Sequence, residues 1–208
     1  MTGISSRVVL LSLAAACALS IGAQAAAPIT CTGIWAPTTS EDALRRQFGD
    51  RVKSERIDVG EGVTEDGSVV YPDAAESRIY VLWKDKARRE KPERIFLRDK
   101  SRQVIYEKIG LGMTLKDLER LNGRPFDLLG FAWDYSGTVT SWNGGRLETV
   151  SGTACEIKVR LDPGSPASLS PERQAAFDAM IGDRLFKSSD RNMQFLNPKA
   201  YEILLIFR

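Results

Sequence analysis

Two ten-residue stretches of this chain read alike at a fixed distance. Ser40-Glu-Asp-Ala-Leu44-Arg-Arg-Gln-Phe-Gly49 aligns with Thr114-Leu-Lys-Asp-Leu118-Glu-Arg-Leu-Asn-Gly123, an offset of 74 residues at every position. Ser40 and Thr114 carry hydroxyls that accept from the free N–H groups of a first helical turn. Leu44 and Leu118 follow four residues on and face inward. Gly49 and Gly123 stand nine residues on, where a helix stops at a residue tolerant of positive φ. Each stretch predicts a capped helix of about eight residues, and Pro125 prevents the second from continuing. A helix that recurs with strand-like segments behind it marks a duplicated unit.

The strand signals after the first helix are 52–59, 68–71, 78–83, 94–97 and 103–106. After the second they are 130–135, 138–142, 146–150 and 154–161. Ser136-Gly137 and Gly144-Gly145 are candidate two-residue turns. The run at 154–161 alternates, with Cys155, Ile157, Val159 and Leu161 on one side and Glu156, Lys158 and Arg160 on the other, as in a sheet with one buried and one wet face. Asp162-Pro-Gly-Ser-Pro166 breaks the chain. Ser170-Pro171-Glu172 then opens a third helix, expected to reach about Ile181, and 201–207 reads as a last strand. The expected fold is α+β: two tandem helix-plus-antiparallel-sheet repeats, about 38–107 and 112–161. A C-terminal helix and strand in 163–208 complete one domain over 26–208.

Residues 1–25 have the layout of a secretory signal: a short start with Arg7, an apolar run from Val8 to Ile21, and Ala23-Gln24-Ala25 as the cleavage site. The expectation is a soluble periplasmic protein cleaved near Ala25, with no transmembrane segment. A lipid anchor at Cys17, within Ala14-Ala15-Ala16-Cys17, is the alternative. Cleavage after Ala25 leaves Cys31 and Cys155, an even pair in an exported chain, which points to a disulfide; two free buried thiols are the competing reading.

Charge and side-chain chemistry narrow the function. The only charge in 1–25 is Arg7, so the remainder carries 28 basic against 27 acidic residues. That balance argues against nucleic acid as a partner. The chain has no histidine, which removes the usual general base and the commonest transition-metal ligand. No nucleophile elbow, Cys–His pair, phosphate-cradling loop or metal-ligand cluster stands out, and no cofactor is expected. Glu119, Asp127 and Asp134 are the carboxylates from which a small envelope hydrolase of glycosidase type would draw. Opposite charges are segregated: the segment 84–94 is basic and 58–76 is acidic. The first reads as a solvated hairpin loop, or else as a contact with anionic lipid or cell-wall polymer.

Phe131, Trp133, Tyr135 and Trp142 form the most suggestive cluster. A two-residue turn at Ser136-Gly137 would pair Phe131 with Trp142 and Trp133 with Thr140 on one sheet face. Such a face is either a core wall beneath a helix or an exposed recognition surface.

The string Gly112-Met113-Thr114-x-x-Asp117-Leu118-x-x-Leu121-Asn122-Gly123-x-Pro125 resembles the signature of the SmpA/OmlA (BamE) family of small bacterial outer-membrane lipoproteins. Trp133-Asp134-Tyr135 falls where that family places an aromatic strand. The tandem arrangement is similar to the β-lactamase inhibitor protein fold, in which two helix-plus-sheet repeats make one curved sheet. Asn122 stands where the family has an apolar residue, and 163–208 extends beyond both patterns. The resemblance implies an envelope protein that acts by binding other proteins. The function expected is thus a non-catalytic, exported protein-binding or inhibitor-like module, with another envelope protein as partner; a structural envelope accessory is the alternative beside the hydrolase.

Overall fold

The computed structural model describes residues 28–106, 108–150 and 154–208. The expected signal segment and Cys17 lie outside them. The first repeated motif forms α1 (Glu41–Phe48), with the Ser40 hydroxyl accepting from the Ala43 N–H. Strands β1 (Val52–Gly60), β2 (Val63–Val70), β3 (Ile79–Asp85) and β4 (Glu90–Arg98) follow as an antiparallel meander, then the two-residue pair β5 (Val104–Ile105) and β6 (Ile109–Gly110). The second motif forms α2 (Leu115–Asn122), where Thr114 and Asp117 cap each other's backbone in a capping box. Beyond it come β7 (Asp127–Leu129), β8 (Val139–Ser141), α3 (Arg146–Val150), β9 (Cys155–Asp162), α4 (Pro171–Asp178), β10 (Leu185–Lys187), α5 (Arg191–Leu196) and β11 (Lys199–Phe207).

The fold is α+β, as expected. Its main sheet has six antiparallel strands in the order β1-β2-β3-β4-β11-β9, and a second sheet has the order β10-β7-β8. The last strand of the chain therefore lies between the two halves, paired with β4 on one side and β9 on the other.

One face of the main sheet carries the large core. Trp83, Ile95, Leu97, Ile203 and Leu205 lie there with the alternating β9 residues, and the helices bury Leu44, Leu118, Leu147, Phe177 and Met193 against them. The disulfide forms as expected: Cys31 and Cys155 are bonded, with Cα atoms 6.2 Å apart. Both are buried, and the bond ties the N-terminal arm to β9.

Three expectations need correction. The segment 146–150 is the helix α3 rather than a strand. Buried Asn122 is the reason: its amide donates to the Arg124 and Trp142 carbonyls and its oxygen accepts from Leu147 N–H in the first turn of α3. A Cβ on Gly145 would lie only 2.1 Å from that oxygen, so the Gly144-Gly145 turn is shaped by Asn122 and leads into a helix. The expected strand 130–135 is also absent; beyond β7 it keeps an isolated bridge from Phe131 to Ile181, and Ala132 has φ 63°. The chain turns through 132–137 and returns at Gly137, whose Cβ would collide with the Leu161 carbonyl. Third, α4 ends at Asp178, short of Ile181. Thus the helix and its glycine stop recur, whereas the second unit contributes β9 alone to the main sheet.

Candidate functional site

The opposite face of the main sheet holds a second, smaller cluster: Ile57, Val69, Tyr80, Leu82, Phe96 and Leu204, with Val59 and Ile206 at its margin. Every one of these residues belongs to a strand. This face is concave. Arg98 of β4 donates to the Asp58 carbonyl of β1 at 2.7 Å although two strands separate them in the sheet. Only a strong coil brings the β1–β2 tip over β4. Gly67 of β2 permits it: a Cβ there would meet the Ile57 side chain at 2.5 Å and the Val81 carbonyl at 2.6 Å.

The result is an open trough. Its floor is β4, β11 and β9, one wall is the β1–β2 tip, and the other is the loop bearing Asp134 and Tyr135. Two clefts, of about 850 and 480 Å³, share Val59, Gly60, Arg98, Arg160 and Glu202 and so run into one another. Register arranges the floor in rows across the strands. Arg98, Glu202 and Arg160 form one row, Phe96, Leu204 and Lys158 the next, and Arg94, Ile206 and Glu156 the third. The rows lie roughly 7 Å apart, two residues along a strand.

The charged groups of the trough differ in how fully they are paired. Arg160 bonds Glu202 at 3.1 Å, donates to the Asp134 carbonyl at 2.6 Å and lies over the Tyr201 ring. Arg94 meets Glu65 at 3.2 Å, and Lys86 meets the same carboxylate at 2.6 Å. The hydrogen bond from Lys86 is the main reason the Glu65 carboxyl is held below its usual range. Arg98 is different. Its guanidinium lies 4.6 Å above the Tyr80 ring and 5.2 Å from Phe96. Its nearest carboxylate is Asp99, at 3.8 Å and more than half exposed. That carboxylate also accepts from the Tyr80 hydroxyl at 2.9 Å.

The four aromatics singled out in the sequence do not share a face. Phe131 is buried and stacks on Phe177, and Trp142 is buried edge-to-face with Phe126, its indole N–H donating to the Ile157 carbonyl. These two belong to the core. Trp133 is half-buried against exposed Tyr135, their ring centroids 5.4 Å apart. Of the four, Tyr135 lines the trough. The pairings of Phe131 with Trp142 and of Trp133 with Thr140 give way to Asp127 with Ser141 and Leu128 with Val139.

The carboxylates do not converge either. Glu119 accepts from Ser188 and Gln194, Asp127 sits in β7, and Asp134 lines the trough. The basic segment 84–94 is the β3–β4 hairpin, and the acidic stretch neutralises part of it through Glu65. The signal missed in the sequence was the alternation Arg94, Phe96, Arg98 against Ile95 and Leu97, and likewise Glu202, Leu204, Ile206 against Ile203 and Leu205. Among the described residues no group of three or more metal-ligating side chains is gathered, and no helix is long and apolar enough to cross a membrane. Comparison of the chain with protein-family models, curated proteins and solved structures finds no match.

Proposed function

We propose that this chain is an exported, non-catalytic module that binds another envelope protein on the concave face of its six-stranded sheet. The observation that carries this reading is one-sided packing. The buried helix residues named above all join the core on one face, and the other face exposes a coiled trough floored by strand residues alone. Half-paved apolar strips framed by arginine and tyrosine are the composition favoured at protein-binding hot spots. Tyr135, 60% exposed, and Tyr201, 38% exposed, stand at its margins. The disulfide accords with an oxidising compartment.

The test is site-specific photo-crosslinking in the envelope fraction. A photoreactive residue at Tyr135 is expected to give one discrete adduct, and the same residue at Arg46, an exposed position on α1, none. Equal, diffuse labelling from both positions would overturn the docking face. Export is checked by N-terminal sequencing, expected to begin at Ala26.

A further inference from the structure

We infer that the trough docks an extended acidic segment of its protein partner, one in which a carboxylate lies two residues from a large apolar side chain, with Arg98 receiving the carboxylate. This rests on the docking face proposed above and specifies its ligand.

Three observations converge. First, Arg98 is held but under-compensated. Two aromatic rings fix its plane, its side chain is 23% exposed, and its hydrogen bond among the described residues goes to a carbonyl rather than a carboxylate. A partly desolvated guanidinium with spare donors in a fixed plane is matched by the two oxygens of a carboxylate. Second, the floor is cationic. Arg94, Arg98, Lys158 and Arg160 face Glu202 across β4, β11 and β9; the further floor acids are Glu156, at the end of its row and 3.4 Å from Lys158, and Asp162, which Lys199 faces across the strands. Arg160 already holds Glu202, and Arg94 holds Glu65, which leaves Arg98, 3.8 Å from the exposed Asp99 carboxylate, as the most loosely paired guanidinium of the floor. Third, the rows set a period. The cationic row Arg98–Glu202–Arg160 lies two residues along the strands from the row containing Phe96 and Leu204. An extended chain points every second side chain to one face, so a carboxylate over Arg98 places the side chain two residues on above Phe96 and Leu204. Arg98 also stands where the two clefts join, so a chain running through both must pass it.

The probes are two blocked nonapeptides, Gly-Ser-Glu-Ser-Leu-Ser-Glu-Ser-Gly and its version with Gln in place of both Glu, titrated against the protein by NMR. The acidic peptide is expected to shift the amides of β4, β9 and β11 and to bind at least tenfold tighter than its Gln counterpart at low salt. Arg98→Gln should erase that preference, and Arg98→Lys should retain part of it, with thermal unfolding confirming that both variants are folded. Raising salt should narrow the gap. Equal binding of the two peptides, or a preference that survives Arg98→Gln, overturns the inference and leaves the docking face standing. So does binding to phosphatidylglycerol vesicles that depends on Arg98 without any preference between the peptides. Failure of both peptides to shift trough residues also overturns it; the Tyr135 crosslink decides the broader reading separately.

Discussion

The two helical units begin alike and are completed differently. Both helices have eight residues, both are opened by a hydroxyl that accepts three residues on, and both end at glycine. Unit one docks on its own strands. Glu41, nearly buried, accepts from Ser68 at 2.6 Å and from Ser54 at 2.9 Å, and Ser68 in turn accepts from the Trp83 indole at 2.8 Å. Unit two docks on the end of the chain. Glu119 accepts from Ser188 and Gln194, Leu115 N–H donates to the Pro198 carbonyl, and Lys116 N–H to the Asn197 side chain. The segment 163–208 is therefore an integral layer: it seats α2 and inserts β11 into the centre of the sheet. Local capping suffices to specify a short helix, whereas the partner on which it packs is set by contacts far along the chain.

The disulfide gives the largest expected effect, and it falls on one unit. It closes a span of 124 residues, for which loop-closure entropy gives about 4–5 kcal/mol of stabilisation. Replacing both cysteines by serine should lower the urea midpoint accordingly. Hydrogen exchange should then show β9 and the N-terminal arm losing protection before β1–β4; uniform loss across the sheet would contradict the asymmetry drawn here.

The glycine stops should separate the units by less. Gly123 has φ 81° and ψ 3°, left-handed helical geometry that other residues reach at modest cost, whereas Gly49 has φ 62° and ψ −139°, a region nearly reserved for glycine. Gly123→Ala is expected to cost about 1 kcal/mol and Gly49→Ala about 2–3 kcal/mol. Equal thermal shifts would show that the two stops are interchangeable after all.

The smallest difference concerns acid. Burial alone would raise the Glu41 carboxyl, but the hydrogen bonds from Ser68, Arg45 and Ser54 outweigh it and hold it below its ordinary 4.5. Asp117 is likewise lowered from 3.8, chiefly by the Thr114 hydroxyl and then by Arg120. A carboxyl lowered in the folded state stabilises fully above its unfolded value, and that stability is lost as pH falls through the folded one. Glu41→Gln should therefore flatten the acid limb of a stability–pH curve below about pH 4.5. Asp117→Asn should do so less, since Asp117 is 39% exposed and solvent screens it.

Much of this was legible in the sequence because it is local. Ser40, Thr114 and Ser170 announce their helices, the glycines end α1 and α2, and the alternation from Cys155 to Leu161 gives both the strand and the direction of the sulfur. What escaped reading depends on distant groups. Arg146–Val150 is helical because Asn122 meets its first turn, and 132–137 turns because Gly137 alone fits beneath the Leu161 carbonyl. The trough was hidden for the same reason. Arg94, Phe96 and Arg98 alternate visibly, but their meaning as a floor requires β11 beside β4 and a sheet coiled over Gly67.

The indole of Trp142 has a further consequence, for colloidal behaviour. By donating to the Ile157 carbonyl it closes off part of the outer margin of β9, and Gly137 accepts from Leu161 N–H at the other end. The opposite margin strand, β1, has side-chain donors at its two ends, Arg45 on the Val52 carbonyl and Arg98 on the Asp58 carbonyl, and between them carries exposed Lys53, Glu55 and Arg56, charges that discourage a foreign strand from pairing there. The molecule thus keeps neighbours off the β9 margin by covering it and off the middle of β1 by charge. Loss of the indole would do more than leave a void: it would offer a bare strand edge, so that damage at this residue registers as self-association at high protein concentration.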